Sequence, residues 1–156
     1  MKTINVILVI TAIIVMFALM AYFAVSCFGT VNGNGNIKKK NYTVLSFRAI
    51  EISGAFDVVL KQSDKESVTV IADENMFKSI KVDSKNNVLK ISSNKMLKSN
   101  NELKLIIEFI DINSIESNGV SVINNESVIK TDKLEIEIDG AVKANLNIDV
   151  RNLELD

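Results

Sequence analysis

The side chain whose position is most suggestive of chemistry is the single cysteine, Cys27. It closes an apolar run, residues 4–28, that contains no charged residue and is preceded by Lys2. Residues 23–27 (FAVSC) resemble the processing site of bacterial lipoprotein signals, in which a diacylglyceryl group is added to the thiol and the chain is cut before the cysteine. With one cysteine, an intramolecular disulfide is impossible. We therefore predict that Cys27 is a lipid-attachment site.

The apolar run has two other interpretations. It is about as long as the ~20 residues that span a bilayer, so it could be an uncleaved membrane helix. A buried core helix is a poorer fit because the run has no amphipathic stripe. Lys38, Lys39 and Lys40 follow closely, and the positive-inside rule disfavours such a cluster outside a permanent span. Residues 1–28 are therefore predicted to be a lipoprotein signal peptide or a membrane anchor.

This prediction places the rest of the chain in the bacterial cell envelope, anchored to a membrane and facing away from the cytoplasm. In some bacteria an acidic tract after the lipidated cysteine routes lipoproteins to the cell surface. Residues 28–36 are uncharged. By that resemblance the periplasmic side is favoured over the cell surface.

Residues that could perform acid–base or metal chemistry are present but not grouped. The chain has no histidine, the side chain most often used for both roles near neutral pH. Neighbouring carboxylates, such as Asp73 and Glu74 or Glu135 and Glu137, lack the second carboxylate at a defined separation that glycosidases need. No calcium-loop or phosphate-loop pattern is present, and the net charge of −1 does not point to nucleic acid. The sequence predicts no catalytic, cofactor-binding or metal-binding residue.

The remaining chain is predicted to consist of strands after a short linker. Residues 29–36 (GTVNGNGN) are small and polar, which is typical of a flexible tether. In the domain predicted over residues 37–156, apolar and polar residues alternate with a period of two, which indicates half-buried strands. Only residues 73–78 favour a helical turn, with Asp73 as its cap and Glu74 in its first turn.

A six-residue pattern occurs three times: IEISGA at 50–55, IESNGV at 115–120 and IEIDGA at 136–141. The last two glycines are 140 − 119 = 21 positions apart, a spacing typical of one coil of a β-solenoid. Gly54, Gly119 and Gly140 are predicted to supply bends with positive φ or room for close backbone passage. The predicted fold is all-β, a right-handed β-solenoid or β-helix-like stack. An antiparallel sandwich with coincidental hairpin turns is the alternative.

The solenoid interpretation assigns a direction to each side chain near the end of the sequence. Predicted inward residues are Leu134, Ile136, Ile138, Leu146, Ile148 and Val150. Predicted outward residues are Glu135, Glu137, Asn145, Asn147 and Asp149.

The final residues, 153–156 (LELD), align with residues 136–139 (IEID) at a shift of 153 − 136 = 17. On this alignment the chain stops one residue before the next expected glycine. A solenoid needs a cap because its last coil otherwise exposes an unpaired strand edge. We expect either a truncated coil or an open edge that is covered by a second chain.

Residues 33–62, 68–80 and 86–92 resemble the bacterial head GIN domain family of adhesin-like proteins. The most specific part is the order F-x-x-I-E-x-S-G-A-F-D-V, carried here by Phe47, Ile50, Glu51, Ser53, Gly54, Ala55, Phe56, Asp57 and Val58. The chain departs from the family pattern at Ser63, where glycine is frequent, and at Lys40, where arginine is frequent. The resemblance implies an exported β-solenoid at the cell envelope, often attached through a lipidated cysteine. It supplies no catalytic residues.

Two functions follow from these observations. The first is an envelope-anchored, non-catalytic binding or structural module that contacts membrane lipid through its anchor and a glycan or envelope protein through its stacked faces. The alternative is a polysaccharide-cleaving β-helix enzyme, for which the chain offers only two arginines, Arg48 and Arg151, and no paired carboxylates.

Overall fold

Strands make up most of the computed structural model, which describes residues 13–17, 29–101 and 103–156. The strands are β1 (Thr30–Asn32), β2 (Ile37–Tyr42), β3 (Ala49–Gln62), β4 (Ser67–Asp73), β5 (Ile80–Lys85), β6 (Val88–Ser93), β7 (Met96–Lys98), β8 (Lys104–Phe109), β9 (Ser114–Asn125), β10 (Ile129–Asn145) and β11 (Ile148–Leu155). A 3-10 helix, Glu74–Ser79, follows β4. The protein is therefore predominantly β, as the alternating pattern predicted.

The anchor prediction concerns residues that the structure largely leaves undescribed. Residues 13–17 are helical and exposed, whereas Cys27 and the rest of the predicted signal lie outside the described residues. In the described ranges, no helix has both the length and the apolar character needed to cross a membrane.

The second half of the fold is a parallel stack. Strand β9 pairs in parallel with β3, β10 with β9, and β11 with β10. Equivalent positions of the three sequence hexads lie directly beside one another, so that Ile50 pairs with Ile115 and Ile115 with Ile136. These three isoleucines are all buried, because an in-register stack continues one apolar column from strand to strand.

The first half is mixed rather than repetitive. One side of β3 is shared by two strands, with β6 beside its first part and β8 beside its second. Strands β5 and β6 form an antiparallel hairpin, and β4 joins β8 to β2 by antiparallel pairing. Asn86 and Asn87 both have positive φ between the paired residues Lys85 and Val88, as a two-residue hairpin turn requires. The strand order places β2 at one edge of the sheet and β11 at the other.

The core confirms the predicted alternation. Its members are buried apolar residues of the strands, together with Phe47, Leu103 and Ile112 from connecting segments and Met76 from the 3-10 helix. The strand members are Ile50, Ile52, Phe56, Val58, Leu60, Val68, Val70, Ala72, Ile80, Leu89, Ile91, Leu105, Ile107, Phe109, Ile115, Ile123, Ile129, Leu134 and Ile136. The other predicted inward residues of β10, of β11 and of the bend between them are half-buried against it: Ile138, Leu146, Ile148 and Val150.

Two local predictions differ from the structure around Asp73. Its side chain makes no capping hydrogen bond to the 3-10 helix, although Glu74 does lie in the first turn. Instead the Asp73 carboxylate accepts hydrogen bonds from the Gly35 backbone N–H, at 2.6 Å, and from the Ser99 hydroxyl. Residues 29–36 were expected to form a flexible tether, but they contain β1 and a turn that Asp73 holds in place.

The alignment of the last residues was wrong by two positions. Leu153 pairs with Leu134 and Leu155 with Ile136, which is a shift of 155 − 136 = 19 rather than 17. A slip of two residues keeps every side chain on the same face of the sheet, so alternation alone cannot detect it. The register is fixed farther back, where Ile148 lies beside the buried Ile129.

Candidate binding surface

The three glycines predicted from the hexads form a ladder across adjacent strands. Gly54 pairs with Gly119 and Gly119 with Gly140, and all three have positive φ, of 142°, 131° and 113°. A Cβ on Gly119 would lie 2.5 Å from the Gly54 carbonyl oxygen, and a Cβ on Gly140 would clash in the same way with the Gly119 carbonyl. Glycine is therefore required twice over, for its conformation and for the close backbone approach.

The stack also presents repeated polar side chains. Glu51, Glu116 and Glu137 occupy equivalent positions on adjacent strands. Asn145 donates its amide to the Asn124 side-chain oxygen at 3.0 Å, across the pairing of β10 with β9. Such asparagine ladders add side-chain hydrogen bonds along a stack of parallel strands. The predicted outward positions Asn145, Asn147 and Asp149 are exposed, as is Glu137, while Glu135 is half-buried.

An apolar strip follows the glycine ladder. Ala55 and Val120 pair on adjacent strands, Ala141 continues the column, and the Val120 side chain is 63% exposed. Shallow grooves lie on both sides of the strip. One, of about 550 Å³, is lined among others by Phe56, Leu103 and Val142. The other, of about 430 Å³, runs along Ser93–Leu97.

A polar groove lies where β10 and β11 begin. It has a volume of about 400 Å³ and is lined by Asp111, Lys130, Thr131, Asp132, Asp149, Val150 and Arg151. Arg151 forms an ion pair with Asp132 at 3.5 Å, and Arg48 forms a close ion pair with Asp111. Sequence reasoning missed this grouping because its aspartates lie in three separate segments. The feature that could have revealed the groove is the parallel register of β10 and β11, because it sets Lys130 beside Asp149.

Charge pairs join neighbouring strands elsewhere on the surface. The Glu108 carboxylate accepts a hydrogen bond from the Ser67 hydroxyl at 2.7 Å and lies 3.2 Å from the Lys65 ammonium and 3.4 Å from that of Lys61. The Ser67 hydrogen bond, followed by these two lysines, lowers the pKa of Glu108 despite partial desolvation. Between β10 and β11, the hydrogen-bonded pair with Glu154 raises the pKa of Lys133, and Lys133 lowers the pKa of Glu154.

Within the described ranges, no group of three or more histidine, cysteine, aspartate or glutamate side chains could hold a metal ion. Of the residues predicted from the sequence, Gly54, Gly119 and Gly140 are brought together, whereas the lipid-attachment position Cys27 lies outside the described residues.

Three solved structures resemble this fold over most of the chain. A "putative lipid binding protein" from Parabacteroides distasonis is 21% identical, with a TM-score of 0.65, and the match covers 81% of this chain and 63% of that one. A "putative adhesin" from Bacteroides fragilis is 25% identical, with a TM-score of 0.66 and coverages of 81% and 58%. A "putative adhesin" from Parabacteroides merdae is 21% identical, with a TM-score of 0.60 and coverages of 82% and 61%.

The chain thus spans about three fifths of the length of each of these structures. The two at 21% identity show a likeness of fold alone. No curated protein matches the sequence significantly. The family model described as "Putative auto-transporter adhesin, head GIN domain" matches residues 46–156, which include all three glycine hexads. The chain therefore belongs to the head GIN domain family.

Proposed function

We propose that this protein is an envelope-anchored, non-catalytic binding and structural module with an adhesin-like role. The observation that carries the proposal is the in-register parallel stack of β3, β9, β10 and β11. Such a stack repeats each outward side chain at the spacing of neighbouring strands, about 4.8 Å. A partner with its own repeat can then be held by many weak contacts.

The stack is the part of the chain that favours a β-solenoid. Parallel neighbours that follow one another along the chain with only two or three residues between them, a 21-residue step between Gly119 and Gly140, and columns of like residues are the properties of successive coils. In this proposal β3, β9, β10 and β11 are the coil strands, wound with the right-handed crossover usual for parallel strands. The antiparallel strands β2, β4 and β5 then form the cap of the first coil.

The polar groove and the asparagine ladder suit a glycan or the polar surface of an envelope protein. Glycans are bound by amide, hydroxyl and carboxylate groups, and the groove offers Thr131, Asp132 and Asp149 beside Arg151. The alternative, a polysaccharide-cleaving enzyme, would use the same groove. It is less favoured because the ion pairs of Arg151 with Asp132 and of Arg48 with Asp111 already account for both arginines as charged surface groups, with no role as a base.

The two functions are separated by incubating the full-length protein, held in phosphatidylcholine vesicles, with purified envelope polysaccharides. We expect saturable binding without new reducing ends, with or without Ca²⁺. Binding should weaken in the double variant Asp132→Asn, Arg151→Gln, and should persist in Lys81→Gln, which changes an exposed residue on β5. Turnover of the polysaccharide would establish the enzyme instead, and equal binding by both variants would remove the groove from the proposal.

Envelope anchoring through Cys27 is tested by the intact mass of protein extracted from membranes. A chain that begins at Cys27 and carries added acyl mass is the expected result. A chain that retains Met1 would replace lipid attachment with an uncleaved anchor, and substitution Cys27→Ser would then leave membrane association unchanged.

Self-association is a further part of the proposal. Within the described residues β11 pairs with β10 alone, and its Leu153 and Leu155 side chains are 46% and 66% exposed. An exposed apolar edge of this kind can pair with a second chain. Sedimentation should show dimers that the variant Leu155→Lys converts to monomers. A wild-type protein that stays monomeric at high concentration would refute this pairing.

A further inference from the structure

The fold has a basic face where the chain enters it. The face consists of β1, β2 and residues 95–98, which include β7. We propose that the basic face docks on an anionic lipid surface and sets the orientation of the domain on its membrane. This inference rests on the envelope anchoring proposed above and adds the lipid class and the contact surface.

The distribution of charge along the sequence is strongly uneven. Residues 1–50 contain five basic residues and no acidic residue, whereas residues 51–156 contain the other 18 − 5 = 13 basic residues and all 19 acidic ones. The three consecutive lysines of β2 lie along one edge of the sheet, where strand alternation directs Lys39 to the side opposite Lys38 and Lys40. Two lysines from later in the sequence add to them. Lys38, Lys39 and Lys40 are all exposed on β2, the edge strand of the sheet, and Lys95 and Lys98 are exposed beside β1.

These five lysines are available to an external anion. In the described part of the chain none of them forms an ion pair, and the one specific contact is that of the Lys40 ammonium with the Tyr42 ring, 4.7 Å from its centroid. Each lysine near an anionic membrane surface contributes about 1 kcal/mol of attraction. The residues between β1 and β2 are uncharged, but two acidic side chains, Asp73 and Glu74, accept hydrogen bonds from them. The five lysines therefore outnumber the neighbouring carboxylates by five to two.

Exposed apolar side chains accompany the lysines. Ile37 at the start of β2 is 48% exposed and Met96 at the start of β7 is 60% exposed. Apolar side chains among lysines are the combination that interfacial membrane contacts use, because the former enter the headgroup region while the latter bind phosphate.

Gly29 lies beside β7, within the basic face, and this position favours a membrane over a soluble polyanion as the partner. The Gly29 carbonyl accepts a hydrogen bond from the Met96 backbone N–H at 3.1 Å, and the Gly33 N–H donates to the Lys98 carbonyl at 2.8 Å. The 28 preceding residues, uncharged from 4 to 28, therefore join the fold on the basic face itself. A membrane that holds those residues is the anionic surface nearest to the five lysines.

The opposite edge of the sheet has the opposite character. Strands β10 and β11 contain six carboxylates and four basic side chains, a net charge of 4 − 6 = −2, whereas β2 carries three lysines and no carboxylate. An anionic membrane would therefore attract the β2 edge and repel the β11 edge. The domain would stand with β11 and the polar groove directed away from the lipid, where a partner can reach them.

The test is lysine footprinting of the full-length protein in two kinds of vesicle, one of phosphatidylcholine alone and one with about a third phosphatidylglycerol. A membrane-impermeant amine reagent is applied at low salt and each lysine is quantified by mass spectrometry. Lys38, Lys39, Lys40, Lys95 and Lys98 should react about fivefold more slowly in the anionic vesicles, the equivalent of about 1 kcal/mol each. Lys85, Lys130 and Lys143 should react equally in both.

Matched variants check the cause of the protection. The triple variant with Lys38, Lys39 and Lys40 all changed to Gln should abolish the protection of Lys95 and Lys98. The control triple, with Lys85, Lys130 and Lys143 changed to Gln, removes the same charge from exposed positions and should leave the protection intact. Equal labelling of the basic face in both vesicles would overturn the inference, as would protection by soluble polyphosphate but not by anionic lipid.

A wash in 1 M salt separates failure of this inference from failure of the anchor. Protein that remains on the vesicles but has unprotected lysines retains the anchor and refutes the docking face. Protein that is protected at low salt but released by the wash supports the docking face and refutes the anchor.

Discussion

Gly119 lies directly beside Gly54 in the parallel pairing of β9 with β3, so close that a Cβ on Gly119 would be 2.5 Å from the Gly54 carbonyl oxygen. The substitution Gly119→Ala should destabilise the fold by about 2–4 kcal/mol, because it adds both a steric overlap and an alanine at positive φ. Urea denaturation measures the loss. Gly29→Ala is the control, since its new Cβ would make only ordinary contacts at 3.8 Å. Equal stability of the two variants would show that the ladder is not tightly packed.

Ser117 occupies a core position with a polar group that has no partner. It pairs with Ile52 and Ile138 on the adjacent strands, it is fully buried, and its hydroxyl has no hydrogen bond in the described structure. Ser117→Ala should stabilise the protein by about 1 kcal/mol, because a buried hydroxyl without a partner is costly. Ser121 is the matched control. It is also buried but donates to the Gly54 carbonyl at 3.3 Å, so Ser121→Ala should destabilise the fold. Thermal unfolding of both variants measures the two stability changes. A loss of stability in Ser117→Ala would show that the Ser117 hydroxyl does have a hydrogen-bond partner.

Asp73 connects three segments from a buried position. It is 1% exposed and holds both the Gly35 amide and the Ser99 hydroxyl. Asp73→Ala should cost about 1–2 kcal/mol, since it leaves two partly buried hydrogen-bond donors without their acceptor. Hydrogen exchange should also speed up at the amides of residues 33–36. Asp64→Ala, at an exposed loop position, should change neither quantity. Unchanged exchange at residues 33–36 in Asp73→Ala would mean that the turn is held by its other contacts.

Glu108 makes part of the stability dependent on pH. The Ser67 hydrogen bond and the two lysines lower its pKa in the folded state below the ordinary value of 4.5. A carboxyl with a lowered folded pKa stabilises the fold fully above its unfolded pKa and loses that contribution as the pH falls through the folded pKa. Glu108→Gln should therefore cost about 1 kcal/mol at pH 7 and progressively less below about pH 4.5.

The measurement for Glu108 is the free energy of unfolding between pH 3 and pH 7. Glu126→Gln is the control. Glu126 and Glu108 line one surface groove between β2, β4 and β8, but the Glu126 side chain is exposed. Parallel pH profiles for Glu108→Gln and the wild type would show that the pKa of Glu108 is not linked to folding.

The sequence was sufficient to predict the strands and the glycine ladder. Alternation is a direct consequence of strand geometry, so residues such as Leu134 and Ile136 were predicted to face inward without any knowledge of their partners, and both are buried. The hexads were informative for a similar reason. In an in-register stack, equivalent positions have the same backbone conformation and the same neighbours. At the glycine positions both the positive φ and the close backbone approach exclude any other residue.

The features that escaped prediction depend on partners that are distant in sequence. Asp73 was expected to serve the helix beside it, but its carboxylate turns to Gly35 and Ser99, which are 38 and 26 residues away. The Arg48–Asp111 pair spans 63 residues. The two-residue error in the register of β11 has another cause, because both alignments bury the same face. Only the position of the bend between β10 and β11, at residues 146–147, distinguishes the two alignments.

The direction of the strands has a mechanical consequence for a protein held at a surface. In the stack, the hydrogen bonds between β3, β9, β10 and β11 point along the line from one strand to the next. If the β2 edge were held and a force pulled β11 away from it, the hydrogen bonds between neighbouring strands would break in succession rather than together. The strands would peel away one at a time, and β11 would separate first. Each detached strand would lengthen the tether and relieve the load on the strands that remain.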